Sequence, residues 1–131
     1  MKKALKFDKM VIYIDAPHSS TLVQNLKTDS GIYAVASSKQ GEGAWATYCS
    51  PDNTVSGVVY NACLGSAFSN SWTDDIDATN TANETLDAQF TKIDGATMTT
   101  TQQFGDVSFK SDKVADFMGN SNSSQESLVS A

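Results

Sequence analysis

The sequence predicts an α+β chain, β-rich, with an antiparallel sheet or small sandwich, one N-terminal helix and a short C-terminal helix. Three observations carry this. Short β-compatible runs recur after Gly31, separated by turn residues; only one strand–helix–strand pattern occurs; and the clearest helical spacing lies near the N-terminus. With 131 residues and 40% hydrophobic composition, the chain is expected to form one compact domain over residues 1–119, followed by a flexible Ser/Asn-rich tail over 120–131. The longest apolar run, residues 10–14, is far short of the roughly 20 residues that span a bilayer, so no membrane span is expected.

Taken in order, residues 9–15 read as a strand with Met10, Ile12 and Ile14 on one face and Val11 and Tyr13 on the other. Apolar groups on both faces predict a central strand. Pro17 stops it, and residues 20–28 read as a helix burying Leu22, Val23 and Leu26. Thr21 and Gln24 have the spacing of a capping box, and Gly31 stands beyond the C-terminus. Residues 32–36, 44–49 and 55–64 follow as strands, divided by Gly-rich and Pro-Asp-Asn turns, with Gly57 marking a bulge. Residues 66–84 are polar without evident period and read as a surface excursion. Asp94-Gly95 reads as a hairpin turn between strands 86–93 and 96–102. A strand over 107–110 and a helix over 112–118, capped by Ser111 and ended by Gly119, complete the chain.

Composition narrows function. The formal charge is −6, and all nine basic residues are lysine. Without arginine or a basic surface, nucleic-acid binding is not expected. Charged residues are only 18%, with Ser, Thr and Asn filling the surface, a balance of extracellular modules and particle subunits. The opening Met1-Lys2-Lys3 resembles a signal peptide, but Lys6, Asp8 and Lys9 interrupt its apolar segment. Virion or extracellular residence is therefore favoured over cytoplasmic. Cys49 and Cys63 have neither C-x-x-C spacing nor a second ligand pair, which leaves two buried thiols or a disulfide.

Candidate sites are few. Asp15, His18 and Ser20 lie where a strand meets a helix and contain the residue types of an acid–base or nucleophilic set. Amides at that helix start offer an anion site. The alternative there is a proline turn with a surface histidine and capping serines. Asp74, Asp75 and Asp77 suggest calcium, but counting from Asp75 places Asn80 and Leu86 where glycine and glutamate are required, so no metal is expected. Trp45, Tyr48, Tyr60, Phe68 and Trp72 suggest a sugar-stacking platform or a subunit contact, with Phe68 and Trp72 as partner-binding anchors. No cofactor motif occurs. The reading these features favour is a non-enzymatic, self-associating structural or assembly subunit, such as a virus-particle or filament component. The alternatives are a small enzyme or ligand-binding module at the Asp15–Thr21 turn, or a carbohydrate-binding module.

Overall fold

The computed structural model describes residues 7–119; the predicted tail over 120–131 lies outside them. Twelve elements follow in order: β1 (Met10–Ile14), α1 (Ser20–Val23), β2 (Ile32–Ala36), β3 (Ala46–Thr47), β4 (Thr54–Val55), β5 (Val58–Val59), β6 (Gly65–Ser66), α2 (Ala67–Ala78), α3 (Leu86–Ala96), β7 (Gln102–Gly105), a 3-10 turn (Val107–Phe109) and α4 (Ala115–Met118). Helix and strand account for 30% and 21% of the described residues, so helices outweigh strands there, against a β-rich reading.

The main sheet has the order β1-β2-β7. β1 runs parallel to β2, in register Met10 to Ile32 and Ile14 to Ala36, whereas β7 is antiparallel to β2. The sheet is thus mixed rather than antiparallel, and two further two-stranded ladders, β3-β6 and β4-β5, stand apart from it. Among the described residues β2 is the central strand and β1 an edge. Every residue of β2 is buried, while those of β1 are half-buried. Alternation sends Tyr33 and Val35 to one face, where they join Phe68, Leu86, Ile93, Phe109 and Val114. Ala34 and Ala36 face the other way, against Val23 and the half-buried Leu26 and Phe104. The small alanines let α1 lie close to the sheet.

Two segments correct the sequence reading. Residues 86–102 are not a hairpin: Leu86, Gln89, Phe90 and Ile93 recur at helical spacing, and α3 buries three of them. The Thr85 hydroxyl caps it by accepting the Ala88 amide at 3.1 Å. Helical period outweighs the Asp94-Gly95 turn signal, and Gly95 simply occupies the last turn. Nor is 66–84 an excursion. Phe68, Trp72 and Ile76 form an i, i+4, i+8 stripe on α2, hidden in the sequence by the polar residues between them.

Smaller corrections concern ends. α1 spans only four residues, Thr21 lies inside it and forms no capping box, and Leu22 is 71% exposed. Residues 55–64 split into a β4–β5 hairpin around Ser56 and Gly57, which both have positive φ. The strand expected over 107–110 is a 3-10 turn capped by Asp106, and α4 starts at Ala115 without a Ser111 cap.

Gly105 ends β7 at φ +77, and a Cβ there would stand 2.2 Å from the Ile32 carbonyl oxygen. Gly105→Ala is expected to destabilise by at least ~2 kcal/mol in denaturant titration, since left-handed geometry alone costs an L-residue about 1–2 kcal/mol. Leu86→Ala should cost about 2–5 kcal/mol, and Leu22→Ala no more than about 0.5 kcal/mol. Equal effects at the two leucines would place the core on the wrong face.

Candidate functional site

In sheets with parallel strands, ligands gather beyond the carboxyl ends. β1 ends at Ile14, and Asp15 follows directly. It stands in a crevice of about 220 Å³ lined also by Ala44, Trp45, Ala46, Gly65 and Ser66. The walls are therefore β3 and β6, held in antiparallel register with Ala46 opposite Ser66. One carboxylate oxygen, Oδ2, accepts from the Ser66 hydroxyl at 2.5 Å and the Ser69 hydroxyl at 2.6 Å. The other, Oδ1, is buried and has no donor. Such an oxygen calls for an N–H or O–H, because leaving it unsatisfied costs about 1–3 kcal/mol.

Glycine at position 65 is imposed by packing. A Cβ there would meet the Asn70 amide at 2.6 Å and the Thr47 hydroxyl at 2.9 Å, two groups already bonded to each other at 2.6 Å. A covalent staple holds the next segment. Cys49 and Cys63 are joined, 14 residues apart in sequence, enclosing the β4–β5 hairpin. Closing such a loop is worth about 3 kcal/mol in the chain-entropy model. The staple fixes an unusual surface: Trp45, Tyr48, Val55, Val58, Val59, Tyr60 and Leu64 are all exposed. No lysine falls between Lys39 and Lys92, so crevice and hairpin carry only acidic charge.

The predicted set does not assemble. Asp15 is held by two serines of the α2 N-terminus, as above. His18, exposed and at φ 56, accepts the Gly41 amide on Nδ1 at 2.8 Å. Ser20 is buried, and its amide donates to the Ser38 carbonyl oxygen. No anion site opens here either, since the Ser19 and Thr21 amides are also spent, on the Ser38 hydroxyl and the His18 carbonyl oxygen.

The structure places the two expected partner anchors differently, Phe68 inside the core and Trp72 half-buried beside it. Phe68 is buried in the core, and Trp72 packs against it with its ring centroid 5.3 Å from that of Tyr13. The acidic stretch lies on α2 and gathers no loop of carbonyl oxygens; Asp75 pairs with Lys92 at 2.8 Å instead. Sequence reasoning missed the crevice because its walls, Ala44, Ala46, Gly65 and Ser66, carry no chemical signature. Asp15 was singled out, but with the wrong companions.

The loop that carries Ala44 is anchored by Glu42. Its carboxylate takes the Thr100 amide and hydroxyl, both at 2.9 Å, and Lys39 through its amide and ammonium. The Thr100 amide is the main cause that lowers its pKa to about 2 from 4.5. A depressed carboxyl contributes stability that is full above its ordinary pKa and is lost as pH falls through its folded value. Hydrogen exchange of the Thr100 amide should therefore be constant above pH about 4.5, corrected for intrinsic rate, and lose protection towards pH 2. Glu42→Gln should remove that dependence. Gly65→Ala should narrow the crevice and lower the melting temperature by several degrees, as overpacking costs about 1–3 kcal/mol.

Comparison with known proteins overturns the expectation of a virus-particle or filament subunit. The Peptidase C13 family model matches residues 1–120. A vacuolar-processing enzyme delta-isozyme of Arabidopsis thaliana is 36% identical over 91 residues, covering 69% of this chain and 20% of its own length. A vacuolar-processing enzyme of Ricinus communis is 29% identical over 122 residues, covering 86% and 24%. Legumain of Rattus norvegicus is 29% identical over 114 residues, covering 86% and 25%. The chain thus spans about a fifth to a quarter of the relatives it matches. These matches point to a cysteine protease, whereas the subunit reading rested on surface composition, which does not discriminate the two. Among the described residues no helix is long and apolar enough to cross a membrane. The chain belongs to the Peptidase C13 family.

Proposed function

We propose that this chain is a peptide-recognition portion of a C13-type peptidase unit, with the Asp15 crevice as the pocket for one side chain. The observation that carries the reading is the donorless Asp15 Oδ1 at a crevice with otherwise small walls. A side chain ending in N–H groups, an amide or an ammonium, supplies the missing donor. A carboxylate side chain would be repelled, with no lysine in the lining of the crevice to offset it. The exposed Trp45 joins the crevice to the hairpin, whose valines and tyrosines then take apolar residues flanking the bound one. Its staple keeps that surface ordered before binding, which lowers the entropic cost of association.

The test follows, by fluorescence anisotropy, three labelled heptapeptides with symmetric apolar flanks: Phe-Val-Leu-Lys-Leu-Val-Phe, its asparagine-centred counterpart and, as the control, its glutamate-centred one. The first two should bind more tightly than the glutamate-centred peptide. Asp15→Asn should weaken the lysine peptide ~10- to 100-fold, the loss of one charge-assisted hydrogen bond. Val58→Ser with Val59→Ser should weaken both peptides but leave weak binding of lysine peptides with Ser-Gly flanks unchanged. Affinity indifferent to Asp15→Asn would exclude the crevice as the pocket.

A further inference from the structure

We infer that Asn83 is a carbohydrate attachment site, its side-chain amide taking an N-linked sugar from a lipid-linked glycosyl pyrophosphate in an oxidising compartment. Asn83-Glu84-Thr85 has the pattern such a transfer requires: an asparagine, a residue other than proline, and a hydroxyl two positions on. Asn25, Asn53, Asn70, Asn80 and Asn120 have no hydroxyl at that position. At Asn61 the place is taken by Cys63, whose sulfur is held in the disulfide. Asn122-Ser123-Ser124 repeats the pattern outside the described residues.

The triplet alone is a common one, and the fold adds three observations. Asn83 is exposed, at the end of the turn that joins α2 to α3. The Asn83 and Glu84 amides both donate to the Asn80 carbonyl oxygen, at 2.9 and 3.2 Å, and the Asn83 carbonyl oxygen accepts the Lys113 ammonium at 2.8 Å. The backbone is thus pinned, while the side-chain amide of Asn83 has no partner among the described residues. It borders a hollow of about 270 Å³, lined also by Thr79, Asn80, Ala88 and Lys92, whose polar groups suit a first sugar. Second, the Cys49–Cys63 bond is of the kind that forms and persists in oxidising compartments, the secretory lumen among them.

Third, the site stands clear of the crevice. The Leu86 amide at the start of α3 donates to the Asp112 carbonyl oxygen, and the Asp112 carboxylate pairs with Lys9, just before β1. Beyond the other end of α3, the Thr99 hydroxyl donates to the Ser37 carbonyl oxygen, just past β2. Asn83 therefore lies at the opposite end of the sheet from Asp15, separated by a helix roughly 16 Å long. A sugar there leaves the crevice open.

In the transfer, Asn83 Nδ2 forms a bond to the anomeric carbon as the bond from that carbon to the pyrophosphate oxygen breaks. The lipid pyrophosphate leaves with the bonding pair and takes up the proton lost by the amide, and nothing is oxidised or reduced. Thr85 supplies the hydroxyl that the transferase reads. In the folded chain the same oxygen accepts the Ala88 amide at 3.1 Å and caps α3, so transfer precedes the closing of that helix.

The experiment directs the full chain into the secretory lumen of a eukaryotic host behind a cleavable leader. The recovered protein is treated with peptide N-glycosidase in heavy-oxygen water, which leaves a labelled aspartate wherever a sugar was attached. Mass spectrometry should find the label at position 83, and Asn83→Gln should abolish it there. Thr85→Asn separates attachment from folding: asparagine caps a helix at least as well as threonine, so the melting temperature should hold while the label at Asn83 disappears. Thr85→Ser should keep both. An unlabelled Asn83 in the unaltered chain, including the case in which Asn122 alone is labelled, would overturn the inference. So would a label at Asn83 that survives Thr85→Asn.

Discussion

The structure depends on burying β2 on both faces. Its residues Tyr33 to Ala36 are at most 1% exposed, and they divide between two apolar clusters by simple alternation. A strand covered in this way needs neighbours on both edges to satisfy its backbone groups, and β1 and β7 provide them. The parallel partner sets the end of the sheet at which the crevice opens. Because β1 runs with β2, its carboxyl end emerges beside the loop leaving β2, and Asp15 meets the β3–β6 ladder there. The antiparallel partner sets a limit, since β7 must end on a residue without a side chain at the Ile32 carbonyl.

How α2 and α3 lie on this sheet is decided by polar contacts as much as by Phe68 and Ile93. Tyr13 on β1 donates to Gln89 on α3, whose amide reaches Asp75 on α2 at 3.4 Å. Lys92 then bonds Asp75, Thr79 and Glu84. Burial holds Glu84 above the usual carboxylate range, while for Asp75 burial is outweighed by Lys92, Glu84 and Thr79, and it falls below. A single ammonium between two carboxylates, one of them deeply buried, fixes the helices in one relative position. Buried ion pairs are weak evidence for added stability, but their breakage is costly, so they select one arrangement over others.

Much of the framework was legible in the residues. β1 and β2 were visible as short apolar runs, and Gly119 as a helix end at φ +77. What escaped was the helical content between 66 and 96. Phe68, Trp72 and Ile76 are separated by threonine, serine and aspartate, whose preference for turns masks a four-residue period. At Asp94-Gly95 a strong local turn signal pointed against Leu86, Phe90 and Ile93, and tertiary burial prevailed. Asp15 was legible as a residue of interest because it stands where a strand meets a helix. Its partners were not: Ser66 and Ser69 lie more than fifty positions along the chain, and only the fold brings them to one oxygen.

The staple at the neck of the β4–β5 hairpin has a consequence for how this chain can change over time. Cys49 and Cys63 close the hairpin at its base, while Ala46, Gly65 and Ser66 line the crevice just outside that closure. The tip residues Ser56 and Gly57 are exposed, and a Cβ added at Gly57 would meet nothing within 4 Å. The covalent neck thus stands between any change of the tip and the walls of the crevice. On the proposed recognition role, selection could then vary the flanking sequences preferred while the central side-chain preference stays constant. The hairpin is an interchangeable cartridge, and the bond at its base is the fitting that makes exchange harmless.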